Sequence, residues 1–149
     1  MKEELLKRIK SKRKILFNTE DECFDEFKKI IGIKSHKTLI LWAFDLIAID
    51  AKELSEKYDD DRPLRALYGS KLWAKGEVKM KTAKKDILDC HAMAKELTDK
   101  KDAAKCHAIG QACAIVHTKE HVMGYVIYDL TSIIRSSEID RVEELIKGE

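Results

Sequence analysis

The chain has 149 residues, enough for one domain with a sizeable core. Its 29 Lys and Arg residues nearly balance its 27 Asp and Glu residues, and the net charge of +2 gives the molecule as a whole no strong attraction for nucleic acid or an anionic membrane. One proline and six glycines leave little material for the turns of a β-protein, and the apolar residues instead recur at helical spacing.

The first predicted helix covers residues 3–17 and is rich in basic side chains. Such a terminal cluster can bind a polyanion, but it is more often the solvated face of a helix, which acidic residues near the C-terminus could balance in space. A second helix is expected to begin with Thr19 as its cap and to run up to Gly32. The basic residues are Lys7, Arg8, Lys10, Lys12, Arg13 and Lys14, and the acidic ones are Glu138, Asp140, Glu143 and Glu144.

The third and fourth helices have the clearest boundaries. Ser35 is a plausible cap for the third, which is apolar on nearly all sides over 39–51 and is therefore predicted to be central and enclosed. The fourth begins where Pro63 fits the first helical turn and an Asp of the preceding acidic turn, residues 59–61, can accept backbone N–H groups. The predicted ranges are about 35–58 and 62–76.

The second half of the chain predicts four more helices. The sixth helix is lined by Ala and Gly, so neighbouring backbones can approach it closely and it is expected near the centre, while Gly124 indicates a further close crossing. The predicted fold class is all-α: a compact single-domain bundle of seven to eight short helices over 1–149, with a central apolar helix and close-packed Ala/Gly-rich helices. The four ranges are about 82–97, 102–117, 119–135 and 138–147.

The composition also predicts where the protein resides. The N-terminal sequence MKEELLKRIK lacks the apolar region of a secretory signal. The most apolar run, 39–51, contains Asp45 and Asp50 and is too short to span a bilayer. Four cysteines without a secretory signal are expected to be reduced thiols, so we predict a cytoplasmic protein with no membrane partner.

Most of the chemically suggestive side chains lie between residues 90 and 128, which hold four of the five histidines and three of the four cysteines. The tripeptide Cys-His-Ala occurs twice, at 90–92 and 106–108. Adjacent residues on a helix point about 100° apart, so neither Cys-His pair can act as a catalytic dyad by itself. No Gly-rich nucleophile turn accompanies either pair, and we therefore assign no catalytic residue.

A metal site is the sharper alternative for this cluster. His117 and His121 have the i, i+4 spacing that zinc sites use, and His91 and Cys113 could complete the ligand set. Cys106 cannot join Cys113 on one ion, because a separation of seven residues is about 10 Å along a helix. The sequence thus allows one set of four metal ligands.

Packing is the simpler interpretation of the same residues. Thr118 is a good helix cap, and a helix break there would spoil the regular spacing of the two flanking histidines. We therefore expect no metal and no other cofactor. The histidines are interpreted as neutral groups bonded to backbone or carboxylates at a helix junction.

A structural network is predicted where the third helix meets the fourth. Asp45 lies within the apolar helix and, if buried and ionised, needs a cationic partner such as Arg62 or Arg65. Trp42 and Trp73 are expected to be core anchors between the same two helices. The predicted structural residues are Trp42, Asp45, Asp61, Arg62, Arg65, Trp73, His107, His117 and His121.

Several motifs occur together in a characteristic order. They are Trp42-Ala-Phe-Asp45, Asp60-Asp-Arg-Pro-Leu-Arg-Ala66, Leu72-Trp-Ala-Lys-Gly-Glu77, Cys106-His-Ala-Ile-Gly-Gln-Ala112 and His117-Thr-Lys-Glu-His-Val-Met-Gly124. In this order and spacing the chain resembles the immunity proteins of bacterial polymorphic toxin systems, in the immunity-five-like group, over about 38–133. The resemblance implies a small all-α cytoplasmic protein that is not an enzyme and that neutralises a cognate toxin by binding it. The basic first helix lies outside the resemblance, and no residue is assigned to toxin binding.

Two classes of function therefore stand side by side. The resemblance implies an inhibitor whose partner is a toxin protein. The alternative is a metal-binding protein or metal-dependent enzyme that uses the His/Cys cluster of residues 91–121. Nucleic-acid binding through residues 7–14 is less favoured than either, and self-association stays open.

Overall fold

The computed structural model describes residues 2–11 and 13–136, and every regular element in these ranges is helical. This confirms the predicted all-α class. A short 3₁₀ turn over Glu22–Phe24 precedes the second helix. Lys12, the predicted helix over 138–147 and the acidic residues within it lie outside the described residues. The helices are α1 (Lys2–Lys10), α2 (Asp25–Ile33), α3 (His36–Tyr58), α4 (Arg62–Ala74), α5 (Met80–Glu96), α6 (Lys100–Ala114) and α7 (His121–Arg135).

Helix α6 lies at the centre of the bundle, as its small side chains predict, and it contacts α3, α4, α5 and α7. Nine of its 15 residues are buried, and Ala, Gly and Cys make up most of these. Asp99 caps the helix by accepting hydrogen bonds from the backbone N–H groups of Lys101 and Asp102. Because few side chains protrude from α6, its neighbours pack directly against its backbone.

The signals predicted for the starts of α3 and α4 are confirmed. Ser35 caps α3 by accepting a bond from the Thr38 N–H at 3.1 Å. Asp59 ends this helix in the left-handed conformation, with φ of 48°. Before α4, an Asp accepts a backbone N–H as predicted: it is Asp60, which accepts the Arg62 N–H at 3.0 Å, while the side chain of Asp61 makes no capping bond.

The prediction that α3 is enclosed is wrong. Its inner face contributes buried residues to the core, but Leu41, Leu46 and Ile49 are 54%, 47% and 68% exposed. Helix α3 packs on α4 and α6, and the side turned away from them meets solvent. Apolar residues around the whole helix predicted that it would be buried on every side, but other helices cover only part of its surface.

The N-terminal segment also departs from prediction. Helix α1 ends at Lys10 rather than continuing to residue 17, and the backbone N–H of Leu16 donates to Oγ1 of Thr131 at 3.1 Å instead of to a carbonyl of its own helix. The extended course lets Leu16 and Phe17 enter a second apolar cluster with Phe24 and α7. Burial of these side chains outweighs further helix formation because each is worth roughly 1.5–3 kcal/mol.

The turn before α2 is organised by Asn18 and Asp21, not by the predicted cap Thr19. Oδ1 of Asn18 accepts the N–H of Glu20 at 3.0 Å, and Oδ2 of Asp21 accepts the N–H of Asn18 at 2.9 Å. Asp21 also binds the guanidinium of Arg8 at 2.7 Å, so this member of the basic cluster is not on a solvated helix face. The Arg8–Asp21 pair ties α1 to the turn.

Within residues 2–11 and 13–136, no helix combines the length and the apolar character that a membrane span requires.

The attachment of the N-terminal segment to α7 yields a first prediction. Thr131→Val keeps the shape of this buried side chain but removes the acceptor of the Leu16 N–H, and it should lower the free energy of unfolding by about 1–3 kcal/mol. Urea unfolding measures the change. The exposed Thr82→Val on α5 is the control and should shift stability by no more than about 0.5 kcal/mol. Equal effects of the two substitutions would contradict the proposed attachment.

Candidate functional site

The two Cys-His-Ala tripeptides face each other across the contact between α5 and α6. The thiol of Cys90 donates to the carbonyl oxygen of Cys106 at 3.4 Å. At the next residue of each helix, Nδ1 of His91 lies 2.7 Å from Nδ1 of His107, and the ring centroids are 5.0 Å apart. At this distance one of the two Nδ1 atoms carries the proton and the other accepts it, so the two imidazoles hold different tautomers.

A third helix completes this stack of rings. The ring of Tyr128 on α7 lies with its centroid 4.9 Å from that of His107, on a helix that packs against α6. Gly110 makes room for the stack, because a Cβ at this position would lie 2.5 Å from Nε2 of His91. The imidazole pair therefore joins α5, α6 and α7 at one level.

The paired imidazoles are neutral at neutral pH. Burial, followed by the nearby charges of Lys14 and Lys95, lowers the pKa of His91 to about 4 and that of His107 to about 3. A second charge in the pair would also be repelled by the first. The arrangement can exchange a proton between two nitrogens, but the neighbouring thiols of Cys90 and Cys113 are not in the deprotonated form that acts as a nucleophile.

The thiols around the pair are protonated. Hydrogen bonding to Cys106 and burial raise the pKa of the Cys90 thiol, and burial raises the pKa of Cys113 to about 12. Both side chains are fully enclosed. Since the thiolate is the nucleophile and the metal ligand, these cysteines act here as small apolar groups.

The four predicted metal ligands are not brought together. His91 faces His107, whereas Nδ1 of His121 bonds to Oε1 of Gln111 at 2.9 Å. His117 is exposed and stacks on Trp73, with the centroids 6.4 Å apart and the planes at 22°. In the described part of the chain, no group of three or more His, Cys, Asp or Glu side chains is arranged to hold a metal ion. The chain turns over residues 115–120, and this predicted helix break is what separates the two histidines.

An ionic layer joins the start of α4 to α5. Arg62 binds Asp60 at 2.7 Å and also contacts Glu96 at the end of α5. These hydrogen bonds raise the pKa of the guanidinium, and the bond to Arg62 lowers the pKa of the Asp60 carboxyl. Arg65 likewise reaches across to α5, and its carboxylate partners are Asp61 at 2.9 Å and Asp86 and Asp89 at 3.5 Å each.

The predicted partnership of Asp45 with Arg62 or Arg65 is wrong. Asp45 lies on the exposed side of α3, and both arginines turn toward α5. Solvent satisfies an exposed carboxylate, so the buried-charge argument for a pair does not apply. The network fixes the docking of α4 on α5 rather than that of α3 on α4.

The two tryptophans pack on the core and make ring contacts that the sequence did not predict. Trp42 lies between Phe27 of α2 and Tyr125 of α7, at centroid distances of 6.2 and 5.7 Å. Trp73 extends from α4 to His117 in the turn before α7. Both rings also pack against the main apolar core, to which α3 and α4 contribute buried residues, so they are core residues as expected, and their ring partners lie on α2, α7 and the turn before α7.

Two polar clusters have no signal in the sequence. The hydroxyl of Tyr58 and Nζ of Lys57 both donate to Oδ2 of Asp102, the latter at 2.6 Å, and burial together with this bond raises the pKa of Tyr58 to about 12. Lys105 bridges Asp129 at 2.6 Å and Asp50 at 3.4 Å. These partners are 24 to 55 residues apart, beyond the reach of any helical spacing rule.

Comparison with known families decides what kind of protein carries this arrangement. The family described as "Imm-5 like putative immunity protein" matches residues 29–149. The chain belongs to this family. The resemblance predicted from the motifs is confirmed, and the match extends beyond 38–133 at both ends. In this member of the immunity family, α1 and the segment that follows it lie outside the match. No curated protein and no solved structure has a significant match to the chain.

The contact of His91 with Gly110 gives a prediction for this immunity protein. Gly110→Ala would force the His91 ring to move and break its bond to His107, so the free energy of unfolding should fall by about 1–3 kcal/mol in urea titrations. Gly32→Ala on α2 is the matched control because its added Cβ meets nothing within 4 Å, and it should be neutral or stabilising by about 0.5–1 kcal/mol. A harmless Gly110→Ala would contradict the close approach.

The lowered pKa values of the imidazole pair predict a dependence of stability on pH. In the unfolded chain these histidines protonate near 6.5, whereas in the folded protein they stay neutral down to about 4 and about 3. Protons therefore bind the unfolded state first, and stability that is fully present above pH 6.5 is lost as the pH falls. Between pH 7 and 5 the loss should be about 1–2 kcal/mol for each histidine, or about 2–4 kcal/mol for the pair.

The double variant His91→Gln/His107→Gln tests this assignment. Its stability should change less between pH 7 and 5 than that of the unaltered protein, whatever its absolute value. His36→Gln/His117→Gln removes two histidines outside the pair and should retain the original pH dependence. If both double variants lose the same share of the pH dependence, the pair is not its source.

Proposed function

We propose that this protein is a non-catalytic immunity protein that binds a cognate bacterial toxin directly and thereby neutralises it in the cytoplasm. The observation that carries the proposal is the family match over residues 29–149, which includes all of the helices from α3 to α7. Neutralisation by binding requires a stable scaffold with a complementary surface, and it needs no activated nucleophile or acid–base pair.

The use of the reactive side chains supports a binding role. The paired imidazoles are neutral and bonded to each other, and the Cys90 and Cys113 thiols are protonated and enclosed. His121 is engaged with Gln111, and His117 with the ring of Trp73. Each of these groups therefore stabilises the contact between helices, which is what a rigid inhibitor needs.

The cysteines support a reducing compartment. All four are free thiols, and three of them are buried in the bundle. Persistent free thiols are typical of cytosolic proteins, in which a toxin made by the same cell would be encountered.

Co-expression with a toxin encoded beside this gene tests the proposal. Cells that produce both proteins should grow, cells that produce the toxin alone should not, and the purified proteins should form a complex on size-exclusion chromatography. Cys106→Ala and Cys113→Ala should still protect wherever they remain folded, because the thiols have no chemical role in the proposal. Growth arrest despite folded immunity protein would refute it.

Stoichiometry separates binding from catalysis. A binding inhibitor should reduce toxin activity in proportion to the molar ratio and reach full inhibition near one equivalent, with the mass of the toxin unchanged. An enzyme that modifies the toxin would act at a small fraction of an equivalent and alter the toxin's mass. Catalytic inactivation of this kind would remove the non-catalytic part of the proposal and leave the toxin as partner.

A further inference from the structure

A basic cleft of about 330 Å³ opens where the N-terminal segment crosses the ends of three helices. Arg13 and Lys14 form one wall, Lys95 and Lys100 lie on the loop side between α5 and α6, and Arg135 closes the end of α7. Buried His107 and three alanines form much of the remaining lining, and the small alanine side chains leave the space between the walls open.

Within residues 2–11 and 13–136, no carboxylate compensates the charge of this cleft. None of the described residues that line it is acidic, and the exposed amines of Lys14, Lys95 and Lys100 form no ion pair with any described carboxylate. A second cleft, on the other side of α6, is different because its lining balances three lysines against three carboxylates. Those residues are Lys57, Lys101, Lys105, Asp50, Glu53 and Asp102.

Hydrogen bonds between side chains of α7 and main-chain atoms of the N-terminal segment hold the walls of the basic cleft in place. The guanidinium of Arg135 donates to the carbonyl oxygens of Ile9 at 2.5 Å and Ser11 at 2.7 Å, and Thr131 on the lining accepts the N–H of Leu16. Arg135 is thus occupied in shaping the cleft, while the lysines keep their charges directed to solvent. Like charges gathered in a concave site raise the local concentration of an oppositely charged ligand.

The buried ring of His107, which lines the cleft, is affected by the positive charges of the lysines. After burial, the charge of Lys14 is the next largest cause of its lowered pKa, and Lys95 contributes as well. Its Nδ1 is engaged with His91, which leaves Nε2 as its other polar atom. When Nδ1 accepts that bond, Nε2 carries the ring's proton and can donate a hydrogen bond to a bound anion.

We infer that this cleft is the contact site for an acidic peptide segment of the partner protein. The inference rests on the proposed function, in which that partner is the toxin. A volume of about 330 Å³ is at the small end of ligand pockets and suits the carboxylate side chains of a short segment. A nucleic-acid backbone would instead need an extended basic stripe, and the net charge of the whole chain is only +2.

Two of the five cations come from outside the part of the chain that the family matches. Arg13 and Lys14 precede the family match, which begins at residue 29, whereas Lys95, Lys100 and Arg135 lie within it. The N-terminal segment therefore supplies one wall of a site whose other cations belong to the matched region. Complementary charge of this kind speeds encounter and selects among partners.

The test compares two triple variants of equal charge. Lys14→Gln/Lys95→Gln/Lys100→Gln removes three amines from the cleft, and Lys81→Gln/Lys84→Gln/Lys85→Gln removes three exposed amines at the other end of α5. The probe is a fluorescein-labelled octaglutamate peptide, followed by anisotropy at about 50 mM salt. The cleft variant should bind about tenfold more weakly or worse, and the control within about twofold of the unaltered protein. Thermal unfolding verifies that both variants are folded.

A site-resolved measurement accompanies the titration. The imidazole NMR signals of His107 and His91 should shift as peptide is added, and those of His117, beyond the far end of α6, should not. Equal weakening in the two triple variants, or no shift at His107, would overturn the inference. So would tighter binding of a single-stranded octanucleotide than of the peptide, if the cleft variant loses it, because the site would then favour phosphates.

The toxin itself separates this inference from the proposed function. If the cleft variant loses affinity for the toxin and the control variant does not, both stand. If both triple variants neutralise the toxin equally well, the cleft is not the contact site although the protein is still an inhibitor. If the unaltered protein fails to bind the toxin, the proposed function fails, and the peptide titration alone decides whether the cleft binds acidic chains.

Discussion

The close approach of α5 and α7 to the backbone of α6 is the constraint on which the rest of the bundle depends. A Cβ on Gly110 would lie 2.5 Å from the ring of His91, and one on Gly124 would lie 2.5 Å from the side chain of Gln111. At each crossing, a polar side chain from the neighbouring helix occupies the space that a Cβ of the glycine would take: His91 beside Gly110, and Gln111 beside Gly124. The imidazole pair and the His121–Gln111 bond can form only because the helices come this near.

Signals that act within a few residues were readable from the sequence. The cap at Ser35, the start of α4 at Arg62-Pro63, the small residues of α6 and the break before His121 all depend on neighbours in the same turn of chain. The end of α1 was not readable in this way. It is set by a bond between Leu16 and Thr131, which are 115 residues apart, and by the apolar cluster that forms around that bond.

The candidate site shows the same division. That the histidines would lie at a helix junction followed from the helix break predicted at Thr118, although Glu120 and not Thr118 is the cap of α7, and the partners of the histidines did not follow from the sequence. The sixteen-residue echo of Cys-His-Ala pairs His91 with His107 only once α5 and α6 are known to pack side by side. Asp45 was misassigned because an apolar helix was taken to be covered on every side, and the exposure of Ile49 shows that it is not. The cations of the basic cleft come from four separate stretches of chain, so no local pattern unites them.

The manner in which the N-terminal segment is fastened has an evolutionary consequence. Its hydrogen bonds to α7 use main-chain atoms of the segment: the carbonyl oxygens of Ile9, Ser11 and Arg13 accept from the Arg135 guanidinium, and the amide of Leu16 donates to Thr131. A main-chain tether is indifferent to the identity of the side chain it carries. Substitution of the exposed side chains at positions 13 and 14 therefore leaves these bonds in place, so this edge of the bundle can acquire new recognition properties while the N-terminal segment stays attached.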